Sequence, residues 1–175
     1  MDHEQGAAPP PDPDEPDRVD RVEAAWRRER PDIDVSSVGI VTRIWRIGRH
    51  LDTHRQKRLE MFGTDRVTLD VLAMLRRAGA PYRRTAGELQ RSALITSGGM
   101  SQRLERLEAA GLVTRHIHAE DRRKVDVELT PAGIALVDEV VGDLMLQESK
   151  LLDGLDAVER ERLRVLLKKL LGRFE

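Results

Sequence analysis

The sequence predicts a mainly α protein with a small β-hairpin, and three observations carry that prediction. Apolar residues recur at helical spacing along most of the chain, as in Ile40, Ile44, Ile47 and Leu51, and again in Ile134, Val137, Val141 and Leu144. Only two short stretches, residues 112–117 and 125–129, alternate apolar and polar side chains as strands do. Aromatic residues make up 3% of the 175 positions, so the core must rest on Leu, Val, Ile and Ala. That supply suits packed helices better than a β-sandwich.

The elements follow in order. Residues 1–17 hold five prolines and six acids with no Lys or Arg, and nothing apolar enough to offset the entropy of ordering them, so they predict a disordered tail. A short helix is expected from Arg18, with Val19, Val22, Ala25 and Trp26 on one face and Pro31 as its stop. Ser36 or Ser37 can cap a long helix that runs to Gly63. The next helix spans 68–78, with Leu69, Leu72, Ala73 and Leu75 inward and Gly79-Ala80-Pro81 as its stop. Thr85 and Glu88 form a capping-box pair for a short helix that buries Leu89. After a turn, Thr96 or Ser97 starts a helix with Met100, Leu104 and Leu107 on one face, closed by Gly111. The two strands are joined by the charged residues 118–124, and Thr130-Pro131 opens a further helix as cap and first-turn proline. The last helix, with Leu163, Leu166, Leu167, Leu170, Leu171 and Phe174, carries more apolar surface than one small domain can cover. A second copy of the chain is its expected partner.

Composition removes several functions. The absence of cysteine excludes disulfides, thiolate nucleophiles and cysteine-ligated zinc. There is no glycine-rich phosphate loop, no G-x-S-x-G elbow and no paired-carboxylate site beside a nucleophile, so no enzyme and no cofactor are expected. His50 and His54 have a chelating spacing without a third ligand, so no metal is expected there. His116 and His118 share one face of the first strand, where phosphate contact or solvent exposure is expected rather than metal. No apolar run nears the roughly 18 residues a membrane span needs, and no leader pattern opens the chain; a cytoplasmic location without membrane contact is the expectation. The net charge of −1 hides an asymmetry: beyond the acidic tail, 30 basic residues face 25 acids.

A short helix, a turn, a second helix and a hairpin with a charged tip are what a major-groove reader needs. Candidate DNA contacts are Thr96, Ser97, Gly98, Gly99, Ser101, Gln102, Arg103 and Arg106 on the second helix, with Arg122, Arg123 and Lys124 at the hairpin tip. Glycines at the helix start allow close approach of backbone to phosphate, and the tip offers cations to phosphates or to a narrow minor groove. Arg103 and Arg106 alternate with Glu105 and Glu108, which on an isolated helix would read as a solvated face; the adjoining hairpin argues for DNA.

The run ITSGGMSQRLERLEAAGLVTRHIHAEDRRKVDVELTPAG resembles the recognition helix and wing of MarR-family regulators, ending in a D-x-R-x-x-x-V-x-L-T pattern formed by Asp121, Arg123, Val127, Leu129 and Thr130. The resemblance covers roughly residues 36–172. It implies a winged helix-turn-helix with N- and C-terminal dimerisation helices, acting as a homodimer on a pseudopalindromic double-stranded operator. The expected organisation is a tail at 1–17, N-terminal helices at 18–64, the DNA-binding domain at 65–130 and C-terminal dimerisation helices at 131–175. The added N-terminal helix is similar to that of the urate-responsive, PecS-like subgroup. That subgroup's ligand pattern falls on Trp26, Asp70, Arg103 and Arg115, implying a small anionic effector, urate-like or a carboxylate, that repels Asp70 and releases DNA. A helical dimerisation or scaffold protein is the rival reading; it leaves the basic tip unused.

Overall fold

The computed structural model describes residues 15–93, 97–119 and 121–174. Along the chain these form α1 (Arg18–Glu29), α2 (Ser36–Met61), α3 (Arg66–Arg77), β1 (Arg83–Thr85), α4 (Ala86–Ala93), α5 (Ser97–Ala109), β2 (Val113–Ile117), β3 (Val125–Leu129), α6 (Pro131–Lys150) and α7 (Ala157–Leu171). They belong to two compact units, one of residues 55–151 and one of residues up to His54 together with those from Leu152 onward.

The 55–151 unit is a winged helix around one aliphatic core. Leu69, Leu72 and Leu75 of α3, Leu89 of α4, Met100, Leu104 and Leu107 of α5, and Val137, Val140 and Leu144 of α6 are all buried in it, along with Val113, Val127 and Leu129 of the strands and Leu59 of α2. Each fully buried Leu or Val contributes about 1.5–3 kcal/mol relative to exposure. At the end of α2, Arg58 meets Asp143 of α6 in a two-pronged ion pair, with Nε donating to Oδ2 at 2.8 Å.

The local signals explain where elements begin. Asp65 precedes α3 in extended geometry and its Oδ1 accepts the Thr68 N–H at 2.9 Å, so the helix starts earlier than its apolar periodicity indicates. Glu88 Oε2 accepts the Thr85 N–H at 2.8 Å and Thr85 Oγ1 accepts the Glu88 N–H at 3.2 Å, the expected capping box. Thr130 Oγ1 accepts the Gly133 N–H at 3.0 Å and donates to the Gly111 carbonyl at 2.6 Å, tying the start of α6 to the turn after α5. Gly133 is required there: a Cβ would stand 2.0 Å from the Leu112 carbonyl oxygen. Gly111, at φ +69°, provides the left-handed turn that closes α5.

The sheet has three antiparallel strands in the order β1-β3-β2, one more than the hairpin alone. β1 is three polar residues with no alternation to reveal it; it pairs Arg83 with Glu128 and Thr85 with Asp126, and Arg83 Nε donates to Glu128 at 2.8 Å.

The other unit is built differently. Asp17, which composition assigns to the tail, is the N-cap of α1, and Asp17 and Asp20 form a capping box. Both carboxylates also receive the Arg43 guanidinium of α2, at 3.0 and 2.7 Å. α2 begins at Ser36, but its first N–H is accepted by Asp34, at 2.9 Å, rather than by a serine side chain. α7 starts on a second capping box, Asp156 and Glu159, and buries none of its residues.

Candidate nucleic-acid interface

α4 and α5 form the helix-turn-helix, and the packing of α5 decides which of its side chains face outward. Met100, Leu104 and Leu107 point into the core, which turns Ser101, Gln102, Glu105 and Arg106 to solvent, with Gly98 and Gly99 exposed in the first turn. Ser97 opens the helix, whereas Thr96 lies outside the described residues. Arg106 has no ion pair among the described residues.

Arg103 is arranged otherwise. Its side chain is 21% exposed, and Nη1 donates to Asp65 Oδ2 at 2.5 Å and to Thr68 Oγ1 at 2.9 Å. The Thr68 hydroxyl in turn donates to Asp65 Oδ2 at 3.2 Å, which closes a triangle between the start of α3 and the recognition helix. Burial raises the Asp65 pKa, but the Thr68 N–H and the Arg103 guanidinium outweigh it and hold the carboxyl below its ordinary value. On the other flank of α5, Glu108 accepts from Arg115 of β2, at 2.7 Å from Nε and 3.2 Å from the backbone N–H. That arginine holds the Glu108 carboxyl below its usual range. The recognition helix is therefore clasped on two sides, by α3 through Arg103 and by the wing through Arg115.

The wing tip is shaped by Asp121, whose Oδ1 accepts from the Arg123 backbone N–H and from its Nε, both at 3.1 Å. Lys124 Nζ stands 3.7 Å from the same carboxylate. Asp121 is held below its ordinary pKa, first by the Arg123 side chain. The tip remains cationic: the Arg123 side chain is 91% exposed despite its partner, and the exposed Arg122 has no ion pair among the described residues. Groups of three or more His, Cys, Asp or Glu placed to hold a metal are absent among the described residues.

Of the four residues that the family pattern marks for ligand, the 55–151 unit holds three, and it does not bring their charged groups into contact. Arg103 is with Asp65, Arg115 is with Glu108, and Asp70 is exposed on α3 without an ion pair among the described residues. Trp26 stands on α1 in the other unit, half exposed. Sequence reasoning does not single out Asp65, Thr68 or Glu108 as site residues. Asp65 is accessible to it as an N-cap three residues ahead of Thr68; its reach to Arg103, 38 positions away, is not.

Comparison with known proteins agrees with this geometry. The MarR family model matches residues 62–124. The HTH-type transcriptional regulator PecS of Dickeya dadantii (strain 3937) is 34% identical over 150 residues, covering 86% of this chain and 88% of that protein. Wild-type MarR from E. coli, in its apo form, shares 29% identity at a TM-score of 0.61, covering 75% of this chain and 96% of its own. MepR, a transcription regulator of the Staphylococcus aureus multidrug efflux pump MepA, superposes at a TM-score of 0.65 with 24% identity, over 77% of this chain and 98% of that one. No described helix is long and apolar enough to cross a membrane. With its winged helix, its wing pattern and these relatives, the chain belongs to the MarR family of transcriptional regulators, in the PecS-like subgroup, and is not an enzyme.

Proposed function

We propose that this chain acts in the cytoplasm as a homodimeric, ligand-responsive repressor that binds a pseudopalindromic operator and is released by a small anion. The observation that carries the DNA reading is the joint surface of α5 and the wing. Ser101, Gln102 and Arg106 stand outward on a helix of a size that fits a major groove, beside a hairpin tip bearing Arg122, Arg123 and Lys124. In one protein of the same fold, a point mutant of S. aureus MepR, the chain is bound to an oligodeoxyribonucleotide.

Response to an anion rests on charge. Asp70 is the one acid within α3, exposed and without an ion pair among the described residues, so an anion arriving near it meets an unneutralised carboxylate. Effector response is proposed to depend on Asp70, Arg103, Arg115 and Trp26, each testable by itself. NadR, another protein of this fold, is in complex with 4-hydroxyphenylacetate, a carboxylate. Coupling is reciprocal, so DNA must weaken binding of the effector by the same factor.

The test is a mobility shift of the purified protein on the DNA upstream of its own gene, titrated with urate, xanthine and citrate at fixed salt and pH. Retention of the duplex and its release by one anion supports the whole reading, and Asp70→Asn is expected to blunt that release. Binding without release discards the anion. Absence of salt-dependent duplex binding returns the chain to the scaffold reading.

A further inference from the structure

We propose that Arg103 serves DNA binding as a positioning residue, together with Asp65 and Thr68: the cluster sets the recognition helix against α3, and Arg103 is not itself a DNA contact. This rests on the reading that the chain binds DNA.

Three features of the cluster lead there. The guanidinium is turned away from the outward face of α5, and the nitrogen that is bonded, Nη1, serves both Asp65 and Thr68. A residue that reads bases through Nη1 must leave this arrangement and give up two charge-assisted hydrogen bonds. The Asp65 carboxylate also does two jobs. Oδ1 caps α3, where the positive end of the helix dipole favours an anion, while Oδ2 holds Arg103. Finally, the Thr68 hydroxyl is engaged as both donor and acceptor within the same triangle, so each of the three side chains is held by the other two. Any displacement of the α3 N-terminus is thereby transmitted to α5 through one bonded cluster 35 to 38 positions apart in sequence.

A double-mutant cycle on operator affinity separates positioning from contact. Asp65→Asn keeps an oxygen for the Thr68 N–H but presents Arg103 with an amide in place of a charge. If Arg103 positions the helix, Asp65→Asn and Arg103→Gln each weaken binding by about tenfold and the double variant is no weaker than either, because both remove the same bond. If Arg103 touches DNA, Asp65→Asn frees it and tightens binding, or the two losses multiply to about a hundredfold; either result overturns the proposal. The salt dependence gives a second readout that a purely structural defect would not mimic. Positioning leaves the slope of log K against log salt unchanged in Arg103→Gln, whereas loss of a phosphate contact lowers it by about one. Arg103→Lys, which keeps a charged donor for Asp65, is expected to recover most of the affinity. If Asp65→Asn does not fold, the salt slope of Arg103→Gln decides the matter alone. A native chain that ignores duplex DNA overturns the functional reading and this proposal with it, whereas a native chain that binds, with additive variants, overturns this proposal only.

Discussion

The two compact units of the chain treat their apolar residues in opposite ways. In residues 55–151, apolar side chains from five helices and two strands converge and are almost fully covered; Leu72 is 1% exposed and Leu75 and Val71 are 0% exposed. In the other unit Val19 and Val35 are buried, while Ile40, Val41, Ile44, Trp45, Ile47, Leu163, Leu166, Leu167, Leu170 and Leu171 all remain exposed. Both sequences are amphipathic, so periodicity alone does not distinguish them. What distinguishes them is whether the chain supplies a partner for the apolar face. The winged helix is complete within one chain, whereas α2 and α7 present an unfinished core. In the proposed homodimer a second copy would complete this surface with the same residues from both sides, as symmetric dimers do.

The sharpest way to break that comparison is to make α7 polar. Leu167→Asp combined with Leu170→Asp removes two apolar side chains worth about 1.5–3 kcal/mol each when buried and adds two charges. We expect the dimer dissociation constant to rise by at least about a hundredfold, read by sedimentation velocity, with operator affinity falling alongside it. Cooperative unfolding of the winged helix should persist in the resulting monomer, because its core draws on none of these residues. A variant that remains dimeric would show that α7 is not what the second copy covers.

The complementary experiment acts inside the complete core. Leu72→Ala is expected to cost about 2–5 kcal/mol in urea unfolding, a cavity-forming loss in a site closed on all sides. The same truncation at Leu166, which is 63% exposed in the single chain, should cost far less in a dissociated monomer than in the intact protein. Equal losses in both states would mean that α7 is covered within its own chain.

How much of this was legible in the sequence differs between elements for physical reasons. Helices α2, α5 and α6 and the hairpin strands follow from apolar spacing, and the caps at Thr85 and Thr130 from local chemistry, because all of these depend on residues within a few positions of one another. β1 is hidden because its pairing partner lies 40 or more residues away and its own residues are all polar. The outward set of α5 was partly legible: period 3.6 places Ser101, Gln102 and Arg106 correctly. It cannot tell that Arg103, on the flank, is drawn inward, since that depends on Asp65 reaching it from the start of α3. Long-range ion pairs such as Arg103 with Asp65, Arg58 with Asp143 and Arg43 with Asp17 and Asp20 leave no local pattern at all.

The smallest expected effect concerns acid, and it sharpens the comparison by asking what the caps add to a core that is already closed. Asp65 is held below its ordinary pKa as described, and Glu88 is lowered first by the Thr85 backbone N–H and then by the Thr85 hydroxyl. A carboxyl whose pKa is lower folded than unfolded binds its proton more weakly in the native state. Its contribution is therefore fully present above the unfolded value of about 4 and is lost as pH falls through the folded value. Urea midpoints of the winged helix should accordingly be insensitive to these two groups from about pH 8 to pH 5 and should fall below about pH 4. Both side chains are substantially exposed, so screening keeps the effect modest. Glu88→Gln should lower the midpoint slightly at about pH 7 and make the acid limb shallower, since a neutral amide has no proton to gain. An acid limb unchanged in that variant would place the titrating groups elsewhere, with Asp65 and Glu108, both held below their ordinary values, the next to be replaced.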